Sequence, residues 1–301
     1  MERSKVIYFP AGVSSIFKIE YYRNRDLIFE GAKGGGFRIK LGTYTYAEIG
    51  EKDEVIINGI KENAKTTYKV IDLMKKRYNI YENIRVVHRI EIPIGCGFGT
   101  SGSGALGAVF AIADLFKIKD DDYYKLASIA HEAEILALTG LGTVSGLVSF
   151  KGAAGLIIKE GAPGICEIKE LEVKDDYLFV SVVFSPIPKD SIILSQEKKI
   201  IIDRIAEDLI RKIEEEGTAE ALLKYSRIFA EKAGFLDNFL LSVIEKFIKL
   251  GFIGATQNMI GKAVHGLIHR DKFKEISEKF YELFGSYRIV ISELQHNFSF
   301  N

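Results

Sequence analysis

Glycine and hydroxyl residues crowd into one short stretch of the chain, residues 93–107. The stretch contains six glycines together with Thr100, Ser101 and Ser103. Alternating apolar residues predict a strand at 84–92 before it, and an apolar run predicts a helix that ends near residue 117 after it. Glycine lets a backbone approach a ligand closely, and the N–H groups and dipole of a first helical turn attract phosphate. We therefore predict a phosphate-binding loop made of Gly97, Phe98, Gly99, Thr100, Ser101, Gly102, Ser103 and Gly104.

Three other interpretations of this stretch are weaker. It contains no Gly-Lys-Ser or Gly-Lys-Thr sequence, so it is not the common P-loop. Residues 97–102 match the dinucleotide-binding pattern, but the helix that follows leads to another predicted helix instead of a second parallel strand. A glycine turn that only lets a helix pack on a sheet is the structural alternative. The three hydroxyl side chains favour phosphate binding over it.

The predicted elements mix strands and helices without the regular alternation of a doubly wound sheet. We expect strands at residues 6–9, 15–22, 37–46, 54–57, 84–92, 155–158, 178–184 and 287–293. Further helices are expected at residues 63–78, 199–215, 218–233, 238–250 and 272–284, and one more from Asp121 or Asp122, acting as N-cap, to about residue 138. The pattern predicts an α+β fold of two layered halves, residues 1–164 and 165–301, divided at the turn Gly161-Ala162-Pro163-Gly164.

The composition excludes several classes of protein. The 41 basic residues balance the 41 acidic ones, so no overall charge attracts nucleic acid or an anionic membrane, and we expect neither as a partner. Cys96 and Cys166 are too few for a disulfide framework or a four-cysteine zinc site, which favours a reducing, cytoplasmic setting. No run of about 18 uncharged apolar residues occurs, so we expect no membrane span.

Residues 93–105 resemble the second motif of the GHMP kinases, the superfamily of galactokinase and the homoserine, mevalonate and phosphomevalonate kinases. Within that superfamily they are most similar to the loop of the archaeal pantoate kinases. Further blocks resemble the same group in the same order: residues 9–17, Ala130-His131-Glu132-Ala133-Glu134, Thr139-Gly140-Leu141-Gly142, Gly161-Ala162-Pro163-Gly164 and residues 255–261. The resemblance spans nearly the whole chain, and the phosphate loop is its most specific part.

The resemblance implies both a fold and a reaction. The fold is an N-terminal domain like domain 2 of ribosomal protein S5, followed by a ferredoxin-like domain, with ATP in the cleft between them. The reaction is the ATP- and Mg²⁺-dependent phosphorylation of the primary hydroxyl of pantoate, which gives 4-phosphopantoate on the archaeal route to coenzyme A. The resemblance further implies a homodimer that acts on a small molecule.

The resemblance also implies roles for individual residues. Ser101 and Glu134 would bind Mg²⁺ and act in catalysis, and Thr143 occupies the position of the family's catalytic aspartate. The implied substrate-binding residues are His131, Lys159, Ser191 and Lys33. Taken alone, His131 is equally well explained as a structural histidine, and Ser101 as a helix N-cap.

Three positions depart from the family pattern and leave the acceptor open. Thr143 stands where the family has aspartate, Lys159 where it has arginine, and Ala32-Lys33 where it has Ser-Arg. Lysine keeps the positive charge but lacks the two-pronged geometry of arginine. Phosphoryl transfer depends mainly on positioning and charge neutralisation, so the loss of the aspartate does not abolish it.

Three alternative functions therefore stay open at this point. The first is a GHMP-type kinase for another small hydroxy acid or an isoprenoid precursor. The second is a nucleotide-binding homologue that has lost catalysis, against which the presence of both Ser101 and Glu134 argues. The third is an RNA-binding protein, which the balanced charge disfavours.

Overall fold

The computed structural model describes residues 2–20, 26–119, 122–186, 196–259 and 261–299. Within these residues it contains two β-sheets and eight α-helices, so the predicted α+β class is confirmed. The first sheet has the order β4-β3-β5-β2-β6-β7, with β1 paired to β2. Its strands are β1 (Ile7–Glu20), β2 (Gly31–Ile49), β3 (Glu54–Ile57), β4 (Ile60–Lys61), β5 (Ile84–Ile90), β6 (Ala154–Lys159) and β7 (Glu167–Leu171).

Four helices accompany the first sheet, and a second sheet with four more helices follows. The first four are α1 (Lys65–Tyr78), α2 (Thr100–Leu115), α3 (Tyr123–Leu136) and α4 (Thr143–Val148). The second sheet has the order β11-β8-β10-β9 and contains β8 (Tyr177–Ser185), β9 (Gly254–Gln257), β10 (Lys262–His269) and β11 (Arg288–Glu293). Its helices are α5 (Gln196–Glu216), α6 (Ala219–Lys232), α7 (Asn238–Lys249) and α8 (Arg270–Phe284). Among the described residues, no helix is both long enough and apolar enough to cross a membrane.

The two sheets meet in a shared core. Val13 and Phe37 of the first sheet belong to the same buried cluster as Phe179 and Leu267 of the second. The predicted boundary at residue 164 lies in the connection between β6 and β7, and both of these strands belong to the first sheet. The division into 1–164 and 165–301 stays a prediction. The strand pairings put the change of sheet between β7 and β8.

Helix α2 lies almost wholly buried because its residues are small. Glycine and alanine let the helix approach β2 so closely that a Cβ atom at Gly107 would collide with the hydroxyl of Thr45. Asp122 caps the next helix, α3: its carboxylate accepts from the N–H groups of Tyr124 and Lys125 at 2.9 and 3.3 Å. The close packing of Gly107 against Thr45 fixes the position of α2 and hence of its N-terminus.

The structure differs from the sequence prediction in a few elements. The strands predicted at 6–9 and 15–22 are one strand, β1, as far as residue 20; residues 21 and 22 lie outside the described residues. Two register shifts, after Pro10 and after Ser14, let β1 stay paired with β2. The strands β4, β7, β9 and β10 and the short helix α4 were not predicted. Glycine interrupts the apolar pattern of β10 and α4, and β7 and β9 are short.

Three histidines are buried in the core and stay neutral. His88 on β5 is 2% exposed, and its ring lies between the hydroxyls of Thr45 and Thr67, at 2.8 and 3.1 Å. His131 on α3 and His265 on β10 are 1% and 0% exposed. Burial penalises the charged ring, which lowers the pKa of His88 and of His131 to about 4 and the pKa of His265 to about 3.

We predict that the protein loses stability as the pH falls from about 6.5 towards about 4. In this range the unfolded chain binds protons at these histidines and the folded chain does not. Each histidine then lowers the free energy of unfolding by up to about 1.4 kcal/mol per pH unit. Urea unfolding between about pH 7.5 and about pH 5.5 measures the effect, and His88→Gln should remove about a third of the slope. A free energy of unfolding that rises on acidification would contradict the prediction.

Candidate active site

The glycine-rich loop lies between β5 and α2, as predicted. Its backbone turns at Gly95, Gly97 and Gly99, whose φ angles are 76°, 80° and 63°. Gly99 is the N-cap of α2 and carries no side chain that caps the helix. The N–H of Ser103 bonds to the carbonyl oxygen of Gly99 at 3.1 Å. The amides that precede this bond belong to the first turn, where a helix has no acceptors of its own: Thr100, Ser101 and Gly102.

Glycine is required in this loop because other backbone segments press on it. A Cβ atom at Gly97 would lie 2.7 Å from the carbonyl oxygen of Met259, and one at Gly99 would lie 2.6 Å from that of Gly12. The positive φ of both glycines also disfavours a side chain. The loop is thus wedged between β1 and the segment that follows β9, and its amides are held in place.

A series of buried hydrogen bonds holds the loop from the side of the second sheet. Asn258 Nδ2 donates to the carbonyl oxygen of Cys96 at 3.1 Å. Asn258 Oδ1 lies 2.8 Å from Nδ1 of His265, and Nε2 of His265 lies 2.9 Å from Oγ of Ser15. Since Oδ1 only accepts, Nδ1 of the neutral ring carries the proton and Nε2 accepts from Ser15. We call Ser15, His265 and Asn258 the loop clamp.

Sequence reasoning missed the loop clamp as a functional unit. Its members are far apart in the sequence, and the only signal was that Ser15 and Asn258 fall in the family-like blocks 9–17 and 255–261. Ser15 lies on β1, and His265 lies on β10 of the second sheet. All three residues are 0% exposed, so the clamp has no bulk water to compete with its hydrogen bonds.

The side chains of the predicted loop have different surroundings. Ser101 is half-buried, and its Oγ donates to Oε1 of Glu134 at 2.7 Å. Ser103 is 0% exposed, and its Oγ lies 2.8 Å from Oγ1 of Thr43. The Phe98 ring is 1% exposed and packs in the core between the sheets. The loop therefore presents the side chain of Ser101 at the start of α2, whereas the side chains of Ser103 and Phe98 point into the interior. Gly104 is also buried, beside the ring of His88.

The three predicted catalytic residues meet at the start of α2. Glu134 comes from α3 and is 1% exposed, and Thr143 is the first residue of α4. A Cβ atom at Gly102 would lie 2.7 Å from Cγ2 of Thr143 and 3.2 Å from Oε2 of Glu134. Another at Gly140 would lie 2.6 Å from Oε1 of Glu134. The structure thus brings Ser101, Glu134 and Thr143 together beside the loop.

The residues present fit a Mg²⁺ ion that is bound together with phosphate oxygens. In the described parts of the chain, no three or more His, Cys, Asp or Glu side chains form a metal-binding cluster. Mg²⁺ usually takes one or two carboxylates and completes its octahedral shell with water and substrate phosphates. Glu134 and the hydroxyl of Ser101 supply oxygen atoms of this kind next to the α2 amides.

A cavity of about 430 Å³ opens beside these residues. Its walls are formed by β1, β2, the end of α3, α4 and β6, and they are mostly apolar or glycine. Thr143 lines the cavity and also contacts the start of α2. The cavity and the loop therefore share a wall, which is the arrangement needed for transfer of a group from one to the other.

Among the described residues that line the cavity, the ionisable ones are Arg38 and Lys33. Arg38 is 1% exposed and donates from Nη1 to the carbonyl oxygens of Leu147 and Phe150, at 2.9 and 3.1 Å. Burial lowers the pKa of Arg38 to about 10, so the side chain stays a cation at neutral pH and ties β2 to the end of α4. Lys33 is half-buried and brings a second cation to the same cavity.

The other predicted substrate residues are not among the described residues that line the cavity. His131 is buried, and its Nε2 donates to the carbonyl oxygen of Glu30 at 2.9 Å. Lys159 pairs with Glu167 at 2.7 Å on the exposed end of β6, and this contact raises the pKa of the lysine. Ser191 lies outside the described residues. Substrate contacts by these residues stay predictions.

Comparison with known proteins identifies the class of enzyme. Residues 65–147, from α1 into α4, match the family described as GHMP kinases N terminal domain. A solved structure described as a phosphotransferase related to the CoA biosynthesis pathway superposes with a TM-score of 0.84 at 24% identity, covering 98% of this chain and 96% of that one. Residues 65–147 thus match a GHMP kinase domain, the chain resembles kinases of that superfamily over nearly its whole length, and it is a phosphotransferase with an alcohol group as acceptor.

Two relatives are similar to this chain over nearly its whole length. The pantoate kinase of Thermococcus kodakarensis is 26% identical over 281 residues, which cover 90% of each chain. The pantoate kinase of Methanospirillum hungatei is 26% identical over 291 residues, which cover 94% of each chain. The resemblance to archaeal pantoate kinases that the sequence motifs indicate is therefore confirmed.

We predict that Asn258→Asp weakens ATP binding at neutral pH. The new carboxylate would face the carbonyl oxygen of Cys96, so two acceptors would meet where the wild type has a donor, and the KM for ATP should rise about tenfold or more. A carboxyl in this buried position has a raised pKa, so acidification towards about pH 5.5 returns a donor and should reduce the defect.

Asn258→Leu is the matched control for this experiment. It removes the same hydrogen bond without a titratable group, so its KM for ATP should stay high across the pH range. The KM for ATP of the two variants, measured across the pH range, distinguishes the loss of a hydrogen-bond donor to Cys96 from a loss of packing. An Asp variant with the wild-type KM at neutral pH would refute the role of the loop clamp.

Proposed function

We propose that the protein transfers the γ-phosphoryl group of ATP to the primary hydroxyl of pantoate, giving 4-phosphopantoate and ADP. The observation that carries the proposal is the meeting of Ser101, Glu134 and Thr143 at the wall between the phosphate loop and the apolar cavity. One side of this wall has amides and a carboxylate, which suit a metal-bound polyphosphate. The other side has apolar surface and a cation, which suit a small hydroxy acid.

The nucleotide end of the reaction would be held by the loop. The first-turn amides of α2 would donate to the β- and γ-phosphate oxygens, with the helix dipole adding to the attraction. Glu134 and Ser101 would bind Mg²⁺, which supplies positive charge to the phosphate oxygens when it is bound. The loop clamp would keep the amides aimed at these oxygens, and such fixed dipoles are a large part of catalysis by charge stabilisation.

The acceptor end would be held by the cavity. Its volume of about 430 Å³ lies in the range of small-molecule sites. The ammonium of Lys33 would pair with the carboxylate of the acid, and the apolar walls would cover its two methyl groups. This arrangement would leave the primary hydroxyl to point past Thr143 towards the loop.

The hydroxyl proton has no strong base to receive it among the described residues that line the cavity. The ionisable side chains there are Lys33 and Arg38, and Thr143 is a hydroxyl that can orient the acceptor by a hydrogen bond. As the acceptor oxygen bonds to the γ-phosphorus, the bond from that phosphorus to the leaving oxygen of ADP breaks. The proton passes to an oxygen of the transferred phosphoryl group, which a loose transition state permits.

Two residues take altered roles in this proposal. His131 would act as a positioning residue and not contact the acceptor, because its ring is buried and neutral. Its Nε2 donates to the carbonyl oxygen of Glu30. Lys159 would serve β6 and β7 through Glu167 instead of contacting the acceptor directly. A cytoplasmic setting, expected from the two cysteines, and a homodimer, expected from the family resemblance, stay predictions.

A second candidate function is a GHMP-type kinase for a different hydroxy acid. The replacement of the family's aspartate by Thr143 and of its arginine by Lys33 favours this alternative, since both positions line the cavity. The contact between Ser101 and Glu134 argues against a homologue that has lost catalysis.

An acceptor panel tests the proposal directly. We expect ADP release with ATP and Mg²⁺ to depend on pantoate, and mevalonate, homoserine and shikimate to support little turnover. The product is identified by mass as the monophosphate of pantoate. Turnover with another member of the panel and not with pantoate would favour the second candidate. ATP-dependent thermal stabilisation without any turnover would favour a non-catalytic homologue.

We predict that Glu134→Gln lowers kcat by about a hundredfold or more, because the neutral amide no longer attracts Mg²⁺. Ser101→Ala should lower kcat in the same direction. Glu132→Gln is the matched control: Glu132 lies on the same helix but pairs with Arg77 at the surface, at 3.1 Å. Its kcat should stay within about twofold of the wild type. A kcat of Glu134→Gln close to that of the wild type would refute the proposed metal site.

A further inference from the structure

Most glycines that line the cavity are needed for packing. A Cβ atom at Gly34 or at Gly36 would collide with the backbone of β1. One at Gly12 would lie 3.0 Å from Cδ2 of Leu147, and one at Gly155 would lie 2.7 Å from the ring of Phe150. Replacement of any of these four glycines would force the protein itself to move.

Gly146 is different. A Cβ atom at Gly146 would have a single neighbour within 4 Å among the described residues, Cδ1 of Ile157 at 3.9 Å. Gly146 also has no left-handed backbone conformation, because it lies within helix α4. In a helix, glycine is also less favourable than alanine. Neither packing nor backbone geometry explains why the chain has glycine here.

The space left by Gly146 opens into the cavity near the wall that it shares with the loop. Gly146 and Thr143 both line the cavity, and their spacing of three residues puts them on the same face of α4. Ile157, on β6, forms the opposite side of this space, and its Cδ1 would also lie 3.4 Å from a Cβ atom at Gly142. A site with glycine on one side and isoleucine on the other suits an apolar group and holds water poorly.

We propose that Gly146 is a specificity-determining residue that makes room for an apolar branch on the carbon chain of the acceptor, next to the reacting hydroxyl. The inference rests on the proposed function, since it assumes that the acceptor lies in this cavity. A methyl branch would fill the volume beside Ile157 that the missing side chain leaves. A larger residue at this position would occupy that volume itself and exclude the branch.

The test compares two acceptors in variants of Gly146. Pantoate carries two methyl groups, and 2,4-dihydroxybutanoate has the same carboxylate and hydroxyls without them. We expect Gly146→Val to lower kcat/KM for pantoate about tenfold or more, and to change kcat/KM for 2,4-dihydroxybutanoate by less than about threefold. Gly146→Ala should give an intermediate selectivity. The KM for ATP should not change in either variant.

Thermal unfolding separates this effect from damage to the fold. Because alanine favours the helix, Gly146→Ala should keep or raise the Tm while its selectivity shifts. If wild-type enzyme turns over pantoate and Gly146→Val keeps the wild-type preference between the two acceptors, the inference fails and the proposed function stands. If the wild type does not turn over pantoate, the proposed function fails and this inference with it.

Discussion

The close packing of α2 against the first sheet is the constraint on which the site depends. Gly107 lies so near Thr45 that the helix has no freedom to shift, and this fixes the N-terminus where Ser101 meets Glu134. Since α2 consists of small and apolar residues, its stability comes from burial and not from surface charge. The carboxylate, the hydroxyl and the helix amides keep their geometry because the helix that carries them is locked in place.

The site joins two environments of different polarity. Around the start of α2, polar atoms converge and the carboxylate of Glu134 is almost fully buried. A few ångströms away, the cavity is lined by glycine and aliphatic side chains. Thr143 belongs to both, because its methyl group contacts the helix start and the residue lines the cavity. Low local polarity strengthens each electrostatic contact at the boundary, so a few groups would suffice for the proposed phosphoryl transfer.

Sequence alone predicted the parts of this site that depend on local pattern. Strand, glycine loop and helix follow one another around Ser101, and the order of family-like motifs indicated that Glu134 and Thr143 belong with them. It did not predict contacts between distant segments, because periodicity carries no information about them. The bond from Asn258 to Cys96 and the burial of His131 depend on how the two sheets pack. The long strand β1 was divided in the prediction because its bulges break the alternation of apolar residues.

The loop clamp has a consequence for the order in which the enzyme is made. The loop is built from residues near position 100, but Asn258 and His265 belong to the last sixth of the chain. A ribosome that has synthesised the whole first sheet has therefore not yet produced the groups that hold the Cys96 carbonyl. The loop therefore gains the buried hydrogen bonds that fix its geometry only after nearly the whole chain has been made.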